Sequence, residues 1–509
     1  MTDATTRRLT VTSPATGERL GEVPILDADA VAAMVAEARR AQPAWAALPA
    51  AERARRLDTL RRLMARDARA LADLSCAESG KLPVEALMVD VLTTCDLARW
   101  FVRRGPKLQA PERVPSGWLI TKRAWIVREP YGVIGVIGPW NFPILNTMRA
   151  VMAGVVTGNA VVLKPSEATP LTALRVRELA LEAGIPAAVF QVATGDGSTG
   201  RALVEAGVDK LSFTGSVPTG RRVAVAAMER LIPVTMELGG KDPIVVLPDA
   251  DVERAARFAA NGAFWNAGQI CISLERAYVT EPVYDRFVDT LVREASSLRV
   301  GPPHDPDADV GAITVESQAE LIERQVRDAL DRGARALTGG HRLPGGRFYA
   351  PTVLVDVTDD MAIVREETFG PVLPVLRVQD EEEAVRRANA SGFALGASVW
   401  GGRRSATALA ARLNAGMVCV NDALVNGAVP GLPFGGAGES GFGRVYGDDG
   451  LRELTRPRSF LVDRGGMGWE PGRFPLRRWG AARALGLIRT LHGRGGERLR
   501  GLLSVLRGG

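Results

Sequence analysis

Histidine and lysine are scarce in this chain of 509 residues: there are three histidines, His304, His341 and His492, and six lysines, at 81, 107, 122, 164, 210 and 241. Cysteine is nearly as rare, and Cys76, Cys95, Cys271 and Cys419 lie far apart with no CxxC spacing. Neither a metal site nor a disulfide framework is expected from so sparse a set of ligands. No run of about eighteen apolar residues occurs, which excludes a membrane-spanning helix. The start, Met1-Thr2-Asp3-Ala4, lacks the basic residues and apolar core of an export signal, so a reducing, cytoplasmic setting is expected. What remains is ordinary globular composition, 46% hydrophobic and 24% charged, over a length that accommodates more than one domain. The net charge of +6 does not gather into a nucleic-acid face. Arginines alternate with acids in stretches such as Glu52-Arg53-Ala54-Arg55-Arg56 and Glu320-Leu321-Ile322-Glu323-Arg324, which read as solvated helix faces. No nucleic-acid partner is expected.

Apolar residues recur at helical spacing over 28–42 and 51–78, and the β-branched run Val133–Ile137 then reads as extended. Short apolar runs at 160–163 and 189–192 flank an Ala/Leu-rich helical stretch at 171–183. Strand, helix and strand in alternation predict a mostly parallel sheet covered by helices. A second alternating region opens at Pro243-Ile244-Val245-Val246-Leu247 and continues through Cys419, so two α/β domains are expected.

Two segments carry chemistry. Phe264-Trp265-Asn266-Ala267-Gly268-Gln269-Ile270-Cys271 places a cysteine just after a glycine-containing turn, and Glu237-Leu238-Gly239-Gly240-Lys241 places a carboxylate on a glycine-rich turn. Together they supply a thiolate nucleophile and a base for water. Alone, Cys271 reads more readily as a small buried hydrophobe. Two further segments are candidates for phosphate. Gly195-Asp196-Gly197-Ser198-Thr199-Gly200 matches GxGxxG after an apolar run, and Phe213-Thr214-Gly215-Ser216-Val217-Pro218-Thr219-Gly220 is a tight turn leading into a helical stretch at 221–230. Glycine permits close backbone approach, and amides at a helix start favour an anion. The same letters fit an ordinary helix start capped by Ser216.

With Gly138-Pro139-Trp140-Asn141-Phe142-Pro143 added, the cysteine and glutamate segments resemble the signatures of the NAD(P)-dependent aldehyde dehydrogenase family, and the likeness runs from Ser13 to Asp463. The resemblance implies an α/β fold with a Rossmann-like cofactor domain at 1–110 and 130–238 and an α/β catalytic domain at 239–440. A small β oligomerisation element at 111–129 and 451–463 would join subunits into a homodimer or homotetramer. It further implies that Cys271 attacks the aldehyde, that the Asn141 amide and the Cys271 backbone N–H hold the oxyanion, and that Glu237 activates water to hydrolyse the thioester left by hydride transfer to the nicotinamide.

By the same resemblance, Gly215, Ser216 and Gly220 form the GSxxxG turn that holds the pyrophosphate, and the turn at Gly195 moves to the neighbourhood of the adenine. Lys164 and Glu167, in Leu163-Lys164-Pro165-Ser166-Glu167, fall on the adenosine ribose. A carboxylate there repels a 2′-phosphate, so NAD is expected ahead of NADP. In Glu366-Glu367-Thr368-Phe369-Gly370-Pro371, Glu367 would hold the nicotinamide ribose and Phe369 would pack beside the nicotinamide. Lys164 and Lys241 draw notice because lysine is so scarce in the chain.

Phe142, Trp265 and Phe434 would wall an apolar tunnel for an aliphatic or aromatic aldehyde. Arg149 lies eight residues after Asn141, where members acting on succinate semialdehyde carry an arginine, although a surface or interdomain ion pair is an alternative use for it. No second cysteine adjoins Cys271, so a disulfide switch is not expected. Two other readings stay open: an acyl-CoA-forming relative and a non-catalytic protein on the same fold. Intact Cys271, Glu237 and Asn141 weigh against both.

The tail, 464–509, departs from the family core, with ten arginines against Glu470 and Glu497. Leu476, Trp479, Leu487 and Leu491 are spaced to share one helical face, interrupted by Arg483 and weakened by Gly480 and Gly486. A basic amphipathic segment of this kind can lie on an anionic membrane or pack on a partner subunit.

Overall fold

The structure, a computed structural model, describes residues 7–465 and 474–507. It divides into two compact units, Met1–Gln109 with Glu129–Arg456, and Ala110–Arg128 with Pro457–Gly509.

The larger unit holds two parallel sheets. The first has six strands in the order Gly441–Phe442, Val234–Glu237, Lys210–Thr214, Val133–Ile137, Ala160–Lys164 and Phe190–Val192, all parallel except the short Gly441–Phe442. Val133–Ile137 is buried along its whole length, as a central parallel strand with helices on both faces must be. Its side chains alternate between two cores. Ile134 and Val136 face Met148, Val151 and Met152 of the helix Leu145–Val156. Val133 and Ile137 face Val31, Val35 and Ala38 of the helix Ala28–Ala47. The second sheet has seven strands in the order Arg335–Thr338, Thr352–Val355, Val372–Val378, Leu274–Thr280, Asp242–Val246, Gly396–Trp400 and Met417–Val420. Only its edge strand Arg335–Thr338 is antiparallel.

The helical pattern at 51–78 forms two helices, Ala50–Arg66 and Ala68–Ser79, because Asp67 leaves helical geometry at φ −95° and ψ 19°. Its carboxylate accepts hydrogen bonds from the side chains of Arg66 and Arg175.

In the smaller unit, Glu112–Val114, Lys122–Pro130 and Thr455–Asp463 form a three-stranded sheet. The tail does not form the single face expected of it. Leu476 sits in a short 3₁₀ turn, Leu476–Arg478, and Trp479 precedes the helix Gly480–His492. That helix pairs with a second one, Gly496–Arg507, in a hairpin. Gly486 does not weaken the helix so much as form the seam: a Cβ there would lie 2.8 Å from the carbonyl of Gly501, and one at Gly501 would lie 2.6 Å from the carbonyl of Gly486. With small residues in the seam, Leu485, Ile488, Leu499, Leu502 and Leu506 are left exposed. Among the described residues no helix is long and apolar enough to cross a membrane.

Candidate active site

The six-stranded order reverses between Val133–Ile137 and Lys210–Thr214, and in doubly wound sheets ligands bind in the crevice beyond the strand ends at such a point. The segments that leave those two ends are Gly138 to Asn141 and Gly215 to Ser216. A cleft of about 690 Å³ opens there, lined by Asn141, Ser216, Glu237, Cys271, Glu367 and Phe369 among others.

Cys271 precedes the strand Leu274–Thr280 of the other sheet, and it is only half-buried. The chain reaches it through left-handed backbone at Asn266 (φ 52°), Ala267 (φ 53°) and Gly268 (φ 73°). For non-glycine residues that geometry costs about 1–3 kcal/mol each. It persists because polar groups hold the loop. Gln269 Nε2 donates to the carbonyls of Asn266 (2.9 Å) and Ala312 (3.1 Å), and its Oε1 accepts from the Thr314 amide at 2.8 Å. Burial pushes the Cys271 thiol up to about 12, against a smaller downward pull from Arg149.

Glu237 ends the strand Val234–Glu237 and is 2% exposed, with neither carboxylate oxygen hydrogen-bonded among the described residues. Burial raises its pKa to about 8, opposed by Arg149 and Arg444. Burial thus favours the neutral form of both the thiol and the carboxyl. A buried acid without a partner is costly, and its place beside a cleft points to work on a ligand. The following turn leaves no room for side chains. A Cβ at Gly239 would strike the Glu367 carboxylate, and one at Gly240 would strike the carbonyl of Cys271.

Asn141 is 3% exposed and held on both ends of its amide. Nδ2 donates to the Gln269 carbonyl at 2.9 Å, and Oδ1 accepts from Asn146 Nδ2 at 3.0 Å. Among the described residues the second Nδ2 hydrogen has no partner, in a side chain that lines the cleft.

At the other end of the cleft, Ser216 occupies the N-cap position of the helix Val217–Met228, yet its side chain makes no capping hydrogen bond. Its hydroxyl donates instead to Thr219 Oγ1 at 3.2 Å. Amides at a helix start that no side chain caps suit a phosphate group. A Cβ at Gly215 would lie 2.7 Å from the Phe213 ring, and one at Gly220 would strike Leu238. The GxGxxG turn differs: Asp196 already caps the helix Gly197–Glu205 through the Ser198 amide, and Gly195 (φ 147°) packs on Thr199. Lys164, buried, pairs with the half-exposed Glu167 at 3.0 Å and lies against Gly200. Glu367 accepts from the Gly240 amide at 3.1 Å, and burial, with Glu275 nearby, raises its pKa to about 8. Phe369 meets Trp140 edge to face at 5.4 Å. This donor set fits a dinucleotide, with a helix start and hydroxyl for phosphate and acids for ribose hydroxyls.

Phe142, Trp265 and Phe434 belong to one apolar core that also touches Cys271. Arg149 is not on the surface, and it forms no ion pair among the described residues. It is 2% exposed, 5.1 Å over the Phe434 ring, and donates to Thr214 Oγ1 at 3.1 Å, while its Nε has no partner among the described residues.

Several site residues were not evident from the sequence: Lys81, Glu85, Asp90, Asn146, Gln269 and Glu275. The scarcity of lysine was a usable signal. Five of the six lysines are buried and ion-paired: Lys81 with Asp90, Lys122 with Asp463, Lys164 with Glu167, Lys210 with Glu453 and Lys241 with Glu275. Lys241 and Glu275 brace the Glu367 loop, since Glu275 accepts from the Thr368 and Phe369 amides at 2.7 and 2.8 Å, and Lys241 donates to Thr368 Oγ1 at 2.8 Å.

A crevice at a strand-order reversal, lined by a donor set that suits a dinucleotide, places the protein among the nucleotide-binding α/β proteins. Within that class the chain belongs to the aldehyde dehydrogenase family, whose model matches residues 1–460. It is an oxidoreductase acting on aldehydes, with NAD or NADP as cofactor. It is 37% identical over 484 residues to the 4,4'-diapolycopene aldehyde oxidase of a Methylomonas species, covering 94% of this chain and 91% of the relative. The succinate-semialdehyde dehydrogenase of Burkholderia pseudomallei superposes with a TM-score of 0.87 at 35% identity, covering 90% of this chain and 95% of that one. An aldehyde dehydrogenase of Bacillus cereus, solved with NAD+, superposes equally well at 35% identity, covering 90% and 93%.

Proposed function

We propose that this protein oxidises an aldehyde to the carboxylic acid through a covalent thioester on Cys271. The observation that carries the reading is Glu237, a buried carboxyl with no hydrogen-bond partner among the described residues, lining the same cleft as Cys271 and Asn141. The Cys271 thiolate attacks the aldehyde carbon and gives a thiohemiacetal. The free Nδ2 hydrogen of Asn141 and the Cys271 amide hold its oxygen, donors whose loss typically costs about 10²- to 10³-fold each. When bound, the oxidised dinucleotide accepts the hydride. Glu237, deprotonated, takes a proton from water as the water attacks the thioester, and the acid leaves. Gly215, Ser216 and Gly220 hold the pyrophosphate, Lys164, Glu167 and Gly195 border the adenosine, and Glu367 with Phe369 seats the nicotinamide end. Glu167 favours NAD over NADP, because a second anion beside it is repelled.

Phe142, Trp265 and Phe434 favour an apolar aldehyde. A second reading, an aldehyde bearing a distal carboxylate such as succinate semialdehyde, is supported by Arg149, a buried guanidinium with a donor to spare. NADH and NADPH formation across an aldehyde panel tests the activity, and failure with both cofactors overturns it. In the same assay, Arg149→Ala is expected to lower the ratio of kcat/KM for succinate semialdehyde over hexanal about 10- to 100-fold, the worth of a charged hydrogen bond. An unchanged ratio removes the second reading.

The sheet of Glu112–Val114, Lys122–Pro130 and Thr455–Asp463 serves in this reading as the contact of a homodimer or homotetramer. The hairpin of Gly480–His492 and Gly496–Arg507 docks on an anionic lipid surface, on the strength of its outward leucines and its excess of arginine. The full chain is expected to co-sediment with phosphatidylglycerol vesicles and to lose this when 470–509 is deleted. Equal sedimentation of both forms overturns the proposal, and so does a change of oligomeric state on deletion with no vesicle binding by either.

A further inference from the structure

Lysine in a protein interior needs a compensating charge and hydrogen-bond partners, and Lys81 has an ion pair and two acceptors. It follows Gly80, the left-handed residue that ends the helix Ala68–Ser79, and its side chain is fully buried. Its Nζ donates to Asp90 Oδ2 at 2.8 Å and to the backbone carbonyl of Asn141 at 2.6 Å, and it sits 4.2 Å over the Phe142 ring. Asp90, equally buried, accepts from Ser75 Oγ at 2.8 Å on the same oxygen. Its other oxygen accepts the amides of Ile144 and Leu145 at 3.1 and 3.2 Å, which open the helix Leu145–Val156 just after Asn141. Glu85, four residues after Lys81, accepts from the Leu82 amide at 2.8 Å and from the Asn266 amide in the left-handed run before Cys271. Asn266 closes the circuit, its Nδ2 reaching the carbonyls of Asn141 (3.3 Å) and Gln269 (3.2 Å).

We propose that Lys81, Asp90 and Glu85 form a buried ionic clamp that positions Asn141 against Cys271, with Lys81 as its central positioning residue. None of the three lines the cleft, so they act through the loops they hold. The Lys81 ammonium fixes the Asn141 backbone from behind. Asp90 fixes the helix that follows, and Glu85 stabilises backbone torsions that Asn266 and Ala267 would otherwise leave. The uncommitted Nδ2 hydrogen of Asn141 is thereby aimed, and catalytic groups displaced by about 1 Å can lose roughly 10²-fold in rate.

The inference rests on Asn141 as the oxyanion donor, so Asn141→Ala is measured alongside. Lys81→Met leaves Asp90 charged and unpaired, and it is expected to lower both Tm and kcat. The deciding variant is Lys81→Met with Asp90→Asn, which removes both charges while keeping a side-chain oxygen for the Ile144 and Leu145 amides. In the double variant Tm is expected to return most of the way to wild type, with the dissociation constant for NAD+ within about twofold. The value of kcat is expected to stay about 30- to 100-fold down, consistent with a misplaced donor. Recovery of kcat together with Tm overturns the clamp and leaves a structural ion pair. Loss of NAD+ binding in the double variant also overturns it, as does a Tm that stays as low as that of Lys81→Met. If Asn141→Ala itself keeps full kcat, the oxyanion assignment is what fails.

Discussion

Cys271→Ala is expected to lower aldehyde-dependent NADH formation roughly 10⁴-fold or more while leaving cofactor binding intact, because no other group can form the covalent intermediate. The remaining thiols cannot substitute. Cys76 and Cys419 are buried, and Cys95 lies against the Arg61 carbonyl at 3.6 Å. Burial raises all three above the ordinary thiol range, as it does Cys271, which alone lines the cleft. Activation of Cys271 must therefore come with the ligands. A positive charge brought into the cleft offsets the desolvation that holds the thiol neutral, and Glu237 can take the thiol proton only once it has itself ionised. Turnover that survives Cys271→Ala in stoichiometric NADH assays would remove the covalent mechanism.

Glu237→Gln separates the two halves of the reaction. The first half needs no base for water, so a burst of NADH close to one per active site is expected, followed by a steady state slowed about 10²- to 10⁴-fold. The pH profile provides a second readout. Burial raises the carboxyl to about 8, so it is protonated below that pH and becomes a base as pH rises through it. Hydrolysis in the native protein should accordingly climb with pH up to about 8, and this limb should vanish in Glu237→Gln. Coenzyme A is the informative addition. If it restores fast turnover to native levels, the thioester is transferred to a thiol, and the chain is an acyl-CoA-forming relative instead of a hydrolytic one.

The fold was legible where local sequence and tertiary environment agree. Val133–Ile137 and Ala160–Lys164 are β-branched or apolar at every position or nearly so, as strands buried on both faces must be, and the sheet forms there. The segments around Cys271, Glu237 and Asn141 were legible as motifs because each is contiguous. What the motifs could not reveal was the packing behind them. Lys81 reaches Asn141 across 60 residues and Glu85 reaches Asn266 across 181, and no local pattern encodes a contact of that span. The break at Asp67 was missed because the apolar spacing continues through it, with Leu60, Met64 and Leu71 all buried. Periodicity misled in the tail as well, since glycine that counts against a helix in isolation becomes the closest point of contact once a second helix lies on it.

The fate of the lysines has a practical side. With five of the six inside the protein, Lys107 is the single lysine side chain that solvent reaches freely. Amine-directed reagents would thus find a single lysine side chain, Lys107, and would pass over the exposed guanidinium groups. Coupling through lysine would tether each subunit to a support at one defined point, Lys107.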